Sequence, residues 1–263
     1  MLGDVRIPLY QIDAFTDRLF AGNPAAVCPL ENWPDEKLLQ AIAAENNLSE
    51  TAFLVPVEEG YHLRWFTPRV EVDLCGHATL ASAYVVFHYL KPSLDQVVFH
   101  TRSGPLVVRR RGEWLAMDFP ARRPEPAEPA PGLIEALGST PQAIYKSRDY
   151  MAVYQSEREV RRLNPDMAAL ARVEMFAIIV TAPGEQADFV SRFFAPACGV
   201  PEDPVTGSAH CTLAPYWAAR LGKTRLRALQ VSQRGGEILC QVQGPRVILR
   251  GKAVLYMEGV ICL

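Results

Sequence analysis

A five-residue motif occurs twice in this chain, about half its length apart, and that repetition constrains the fold more than any other feature. Arg64-Trp65-Phe66-Thr67-Pro68 is echoed by Arg192-Phe193-Phe194-Ala195-Pro196, an offset of 192 − 64 = 128. Downstream, Cys75-Gly76-His77-Ala78-Thr79-Leu80-Ala81 is echoed by Ser208-Ala209-His210-Cys211-Thr212-Leu213-Ala214, an offset of 210 − 77 = 133. In this register the second copy carries 133 − 128 = 5 extra residues, which fall around Glu202–Gly207. A third echo sets Arg102-Ser103-Gly104 against Arg234-Gly235-Gly236. The chain reads as two similar halves, and a cleft between two such halves is a natural place for a ligand.

Length agrees, since 263 residues are long for one core and comfortable for two. Five prolines, Pro120, Pro124, Pro126, Pro129 and Pro131, lie near the midpoint and read as a stiff linker. The expected division is therefore 1–119, a linker at 120–132, and 133–253. Net charge is −2 and the longest basic run, Arg109-Arg110-Arg111, is read as a solvated turn, so no nucleic-acid partner is expected. The N-terminus lacks a leader pattern and no apolar run approaches the ~18 residues of a membrane span. A cytoplasmic protein with no membrane partner is expected. None of the six cysteines forms a Cys-x-x-Cys pair or a metal-ligand spacing with the five histidines, so reduced thiols and no metal are expected. No glycine-rich phosphate loop is present, which argues against a nucleotide cofactor.

Residues 7–15 read as a strand. A helix is expected from Asp35 as N-cap through Leu38, Leu39, Ile42 and Ala43, stopping at Asn46-Asn47. Further strands are expected at 51–55, 61–66, 97–101, 105–110 and 113–119. Between them, Ala78–Leu90 is apolar nearly all round, the mark of a buried helix. Thr212–Leu221 matches it in the second half and is stopped by Gly222. Short strands around a buried helix suggest a curled sheet or barrel in each half.

Both buried helices follow a small, glycine-containing segment, Cys75-Gly76-His77 and Gly207-Ser208-Ala209. The first N–H groups of a helix have no internal partner and the dipole is positive there, so each segment is a candidate site for a carboxylate. In the register above, Cys75 and Ser208 are counterparts. Two thiols there would make a two-base racemase, but a serine hydroxyl is too weak an acid or base without activation. Glu50, between an amphipathic helix and an apolar strand, is the other candidate proton carrier; burial would raise a carboxylate there into the working range. The dipole at the start of its helix disfavours imidazolium, so His77 is expected to be neutral. Asp203 lies in the insertion that breaks the repeat. His210 mirrors His77, and it, Thr79 and Thr212 could equally be structural.

Six stretches, in order and spanning nearly the whole chain, carry a family resemblance. They are Asp13-Ala14-Phe15-Thr16, Gly22-Asn23-Pro24-Ala25-Ala26-Val27, Asn47-Leu48-Ser49-Glu50-Thr51-Ala52-Phe53, Arg64–Pro68, Cys75–Thr79 and Asp203–His210. Together they resemble the PhzF-like (phenazine biosynthesis protein) family. The resemblance implies an α+β chain of the diaminopimelate epimerase-like fold: two pseudo-symmetric halves, each a β-barrel-like sheet around a central helix. It also implies that a C-terminal strand near 254–263 returns to the first half, and that the protein is a homodimer. The implied chemistry is cofactor-independent and metal-free isomerisation of a small carboxylate, of the trans-2,3-dihydro-3-hydroxyanthranilate type, in the cleft between the halves. Glu50 would shuttle the proton, with His77, Asp203 and Ser208 as catalytic partners. Cys75, Gly76, Thr79 and Gly207 would bind the substrate carboxylate. Cys75, in the position of an epimerase thiol, leaves open a racemase or epimerase using that thiol. A non-catalytic small-molecule-binding homologue is the other alternative.

Overall fold

The computed structural model describes residues 5–263, which divide into two compact units. Unit 1 is formed by residues up to Asp118 together with Arg250–Leu263, and unit 2 by Phe119–Leu249. In chain order unit 1 has β1 (Arg6–Ala14), β2 (Asn23–Pro29), α1 (Glu36–Asn46), β3 (Glu50–Val57), β4 (Gly60–Phe66), β5 (Glu71–Val72), α2 (Gly76–Val85), β6 (Gln96–Thr101), β7 (Gly104–Arg111) and β8 (Trp114–Pro120). Unit 2 continues with β9 (Glu125–Pro126), α3 (Leu133–Leu137), β10 (Ala143–Lys146), β11 (Tyr150–Val153), α4 (Glu157–Arg162), α5 (Met167–Leu170), β12 (Ile178–Pro183) and β13 (Phe189–Phe194). It ends with α6 (Gly207–Leu221), β14 (Arg225–Gln230), β15 (Gly236–Gln243) and β16 (Arg246–Gly251), after which β17 (Ala253–Cys262) pairs antiparallel with β1.

The strand pairings repeat in the same order in both units. In unit 1, β1 and β2 pair antiparallel, β2 and β3 parallel, β3 and β4 antiparallel, β4 and β6 parallel, and β6 and β7 antiparallel. In unit 2 the same alternation runs through β10, β11, β12, β13, β14 and β15. Parallel neighbours need a long crossover. Unit 1 supplies α1 and α2 at its two crossovers; unit 2 supplies α4 with α5, and α6. This is a mixed α+β, epimerase-like architecture.

Local chemistry explains the elements. Asp35 caps α1 by accepting from Lys37 N–H at 2.9 Å, a contact worth about 1 kcal/mol. Asn47 stops the helix in the left-handed region at φ 49°. Leu39, Ile42 and Ala43 form its buried stripe. By contrast, α2 is buried from His77 to Val85 with only Tyr84 part-exposed, and it packs against β1, β2, β3 and β17. A helix surrounded in this way needs no polar face.

In unit 2, Trp217 of α6 is fully buried and stacks on Phe189 with ring centroids 5.8 Å apart. Its Nε1–H donates to Thr181 Oγ1 at 3.0 Å, and that hydroxyl donates to the Val190 carbonyl at 2.6 Å, so no polar atom of the pair is stranded. Pro215 lies inside α6 and has no N–H for the Cys211 carbonyl one turn back. Arg122 N–H takes that carbonyl instead, at 2.8 Å.

The proline-rich stretch, expected as a linker, contributes to the packing of unit 2. Its β9 pairs with β10, Ala127 N–H bonds the Ile144 carbonyl at 3.1 Å, and Ala130 joins the hydrophobic core.

The repeated arginine has one job in both copies. Arg64 grips Glu71 through Nε and Nη2, both at 2.7 Å, and lies 5.1 Å from the Phe66 ring. Arg192 grips Glu202 at 2.7 and 2.9 Å and lies 4.9 Å from the Phe194 ring. Two-pronged guanidinium–carboxylate pairs fix direction as well as distance. Each ties a strand to the segment that leads into the central helix.

Candidate active site

In unit 1, four side chains meet at the start of α2. Asn23 opens β2 and Glu50 opens β3; the two strands are parallel, with Ala25 beside Glu50, so both residues lie at one end of the sheet. Asn23 is placed by Gly22, whose φ of 68° suits glycine and whose missing Cβ would stand 2.2 Å from the Ala14 carbonyl oxygen. Cys75 is the N-cap of α2 and His77 its second residue.

His77 is the centre of the group. Its Nε2 lies 3.1 Å from Glu50 Oε2, close enough for an ion pair but without the alignment of a good hydrogen bond. Its Nδ1 lies 3.2 Å from Asn23 Nδ2 and 3.5 Å from Cys75 Sγ. An amide nitrogen only donates, so in the neutral imidazole Nδ1 is the acceptor and the hydrogen sits on Nε2, facing Glu50; in the imidazolium the amide presents its oxygen to Nδ1–H instead. The His77 side chain is 7% exposed and that of Glu50 17%, so the carboxylate is the member open to a ligand.

Electrostatics departs from expectation here. Burial disfavours imidazolium, but the Cys75 sulfur and the Glu50 carboxylate outweigh it and raise His77 well above the ordinary histidine value. Glu50 is the partner that matters at neutral pH. Burial, helped by the Glu50 charge, pushes the Cys75 thiol up to about 11, so it stays S–H and brings no charge. The shift runs opposite to the neutral His77 expected from the helix dipole, and the counter-charge of Glu50 lies 3.1 Å away.

Glu50, Cys75 and His77 also lie within 4.8 Å of one another, donor types that zinc accepts. Sequence spacing alone did not reveal this grouping. The imidazole is interposed, however, with Nε2 toward Glu50 and Nδ1 toward Cys75. One ion could not meet all three without the ring turning.

In unit 2, the corresponding turn is the start of α6. Thr206 is the N-cap, Gly207 the first helical residue and Ser208 the second. Cys75, Gly76 and His77 hold those positions in α2, so the offset is 206 − 75 = 131, and the second copy carries 131 − 128 = 3 extra residues. This corrects the pairing taken from sequence identity. The counterpart of Cys75 is Thr206, that of His77 is Ser208, and that of Thr79 is His210. A shared contact supports the new register: Thr79 Oγ1 donates to the Cys75 carbonyl at 2.5 Å, and His210 Nδ1 donates to the Thr206 carbonyl at 2.8 Å. Burial lowers His210 to about 4, so it is neutral and ties the turn.

Neither Cys75 nor Thr206 caps its helix with its side chain. The Thr206 hydroxyl donates to Asp203 Oδ2 at 2.5 Å instead. Asp203 N–H is fixed on the Phe193 carbonyl at 3.0 Å. Ser208 Oγ accepts from Arg148 Nη2 at 3.3 Å; Arg148 is itself clamped by the buried Asp149 at 2.9 and 3.0 Å and lies 4.6 Å from the Phe176 ring. Of the expected site residues, Glu50, Cys75, Gly76, His77 and Thr79 gather in unit 1, and Asp203, Gly207 and Ser208 in unit 2. Sequence reasoning passed over Asn23 and Arg148 as polar participants. Asn23 had a usable signal, a polar residue opening an apolar strand; Arg148 had none.

No helix among the described residues is long and apolar enough to cross a membrane. Residues 12–259 match the family described as "Phenazine biosynthesis-like protein". The chain is 55% identical to an "uncharacterized isomerase" of Pseudomonas aeruginosa, covering 98% of this chain and all of that one. It is 42% identical to a human "phenazine biosynthesis-like domain-containing protein", covering 98% and 99%. A crystal structure of a PhzF family protein from Enterococcus faecalis superposes with a TM-score of 0.96 at 46% identity, covering 98% and 100%. A hydroxyproline epimerase from Agrobacterium vitis shares the fold at a TM-score of 0.61 and 11% identity, covering 100% and 94%. The six ordered motifs, the repeated strand pairings and these likenesses together make the chain a member of the PhzF-like phenazine biosynthesis protein family.

Proposed function

We propose that this protein is a cofactor-independent isomerase of a small carboxylate, of the trans-2,3-dihydro-3-hydroxyanthranilate type, and that Glu50 is its proton carrier. The observation that carries the reading is the Glu50–His77 pair at 3.1 Å, in which the carboxylate keeps the greater access. Glu50 takes a proton from one carbon of the substrate, becoming a carboxylic acid, and returns that proton to another carbon. His77 stabilises the carboxylate between these steps through the Nε2–H that faces it. The uncapped first turns of α2 and α6, with Gly76, Gly207 and their neighbours Cys75 and Thr79, supply backbone donors suited to a substrate carboxylate. Asp203 and Ser208 are the further catalytic partners that the family resemblance implies. Relatives of 47–55% identity that are named isomerases support the reaction class. A cytoplasmic homodimer belongs to the same proposal.

A thiol-based racemase has less support. The Cys75 thiol, pushed up to about 11, is protonated at neutral pH, and its counterpart is Thr206, whose hydroxyl is engaged by Asp203. A one-base isomerase needs neither thiol.

The test follows the ultraviolet change of trans-2,3-dihydro-3-hydroxyanthranilate with wild type and Glu50→Gln in parallel. The variant is expected to fold, bind and lose at least about 10²-fold in kcat, the usual contribution of a positioned acid–base group. An active Gln variant would eliminate Glu50 as the carrier. Loss of the substrate's stereochemistry with solvent deuterium incorporation, abolished by Cys75→Ala, would favour the racemase.

A further inference from the structure

The segment joining Asp203 to the first turn of α6 is held by one buried amide. Gln230, the last residue of β14, is 1% exposed. Its Oε1 accepts from Thr206 N–H at 2.8 Å, and its Nε2 donates to the Asp203 carbonyl at 2.7 Å and to Thr206 Oγ1 at 3.2 Å. Because the Thr206 hydroxyl accepts from the amide, its own hydrogen is directed at Asp203 Oδ2, 2.5 Å away. The chain of donors has one direction, from Gln230 through Thr206 to the Asp203 carboxylate. Only a carboxamide serves here: it accepts on one side and donates twice on the other, whereas a carboxylate cannot donate. A separate contact, Ser232 Oγ donating to the Pro204 carbonyl at 2.7 Å, holds the same loop without Gln230.

We propose that Gln230 is a positioning residue of the active site, which aims the Thr206 hydroxyl at Asp203 and fixes the approach to Gly207 and Ser208. The proposal rests on the role given above to Asp203. It separates Gln230 from ordinary core residues, because its effect passes through the direction of one hydroxyl rather than through packing. The Ser232 contact means that the loop keeps an anchor when the amide is removed.

The test is titration of the Asp203 side-chain carboxyl by ¹³C NMR, with its resonance assigned by Asp203→Asn. Wild type, Gln230→Met, Thr206→Val and Thr206→Ser are compared, and turnover of trans-2,3-dihydro-3-hydroxyanthranilate is measured on the same samples. A donor to the ionised form favours that form. Thr206→Val is therefore expected to raise the proton affinity of Asp203 about 10-fold, and Gln230→Met to reproduce part of that rise. Thr206→Ser, which keeps the hydroxyl, should titrate like wild type. Turnover should fall in the same order, by about 10-fold in Thr206→Val, and be rescued in Thr206→Ser. An Asp203 titration identical in wild type and Gln230→Met overturns the proposal, even if turnover falls, because Gln230 would then act only through the fold. If wild type does not turn over this substrate, the substrate assignment fails separately, and the titration still decides the role of Gln230.

Discussion

Alkylation of Cys75 discriminates between the two proton carriers proposed for this site. Burial holds the thiol at about 11, so at pH 7 about one molecule in 10⁴ carries the thiolate that reacts. An ordinary exposed thiol, near 8.5, is about 3% thiolate at the same pH. The ratio of reactive forms is about 300. Nucleophilicity rises with basicity at a slope of about 0.4–0.5, which returns roughly a factor of 10 over 2.5 units. Cys75 should then react about 30-fold more slowly than an ordinary thiol on ionisation alone, and burial slows it further. Cys198 and Cys262 are exposed and serve as internal standards. Timed iodoacetamide labelling with peptide mass spectrometry, repeated from pH 6 to pH 9, reads all three sites. Limited access lowers the Cys75 rate at every pH but leaves its slope, about tenfold per pH unit, unchanged. A Cys75 rate that is fast and flat over this range would mean a thiolate–imidazolium pair with His77. That result would refute the argument from burial and restore the thiol as a working base.

Three further outcomes follow from the geometry. The raised His77 contributes stability that is fully present below the ordinary histidine range and is lost as pH rises through its higher folded value; the denaturation midpoint gap between wild type and Glu50→Gln should shrink from pH 6 upward, and a constant gap would contradict the ion pair. Gly22→Ala places a Cβ 2.2 Å from the Ala14 carbonyl oxygen at φ 68° and should cost about 1–3 kcal/mol in chemical denaturation, with loss of turnover as Asn23 shifts; full stability would show that the loop yields. Arg192→Met removes the grip on Glu202 and the donors to the Val160 and Leu163 carbonyls, at 3.1 and 2.7 Å, and should destabilise unit 2 by about 3–5 kcal/mol; a change below about 1 kcal/mol would reduce the repeated arginine to a surface contact.

The elements most legible in the sequence were those whose cause is local. Asp35 and Asn47 bracket α1 because a short acidic side chain caps a helix start and asparagine tolerates the left-handed region. The buried character of α2 followed from an apolar run with no polar stripe. What depended on contacts far apart in sequence was not legible. His77 was expected to be neutral because its helix start is visible in the sequence, whereas the Glu50 carboxylate 27 positions earlier is brought within 3.1 Å only by the fold. Gln230 ends an ordinary strand with no pattern to mark it, yet its amide holds residues more than 20 positions away. The PhzF-like resemblance supplied the family and the fold, which local patterning could only suggest.

The misread register of the repeat carries the most chemical meaning. Sequence identity matched His77 with His210 and Cys75 with Ser208, whereas the helix starts match His77 with Ser208 and Cys75 with Thr206. Identity was misleading because the two histidines do different work. His210 ties its own helix turn through the Thr206 carbonyl, the task that Thr79 performs in the other unit. His77 instead faces a carboxylate, and no ionisable group stands at the equivalent point just before β12, where pairing of Thr51 with Phe66 and of Ile178 with Phe194 makes Ala177 the counterpart of Glu50. The duplicated scaffold therefore provides two helix starts with backbone donors, but a carboxylate–imidazole pair at only one of them. A scaffold with matched bases at both starts suits inversion at a carbon, where one face loses a proton and the other gains it. Here the carboxylate that faces an imidazole belongs to unit 1, and the carboxylate at the start of α6, Asp203, accepts from the Thr206 hydroxyl instead; that asymmetry supports the single-carrier reading proposed for Glu50.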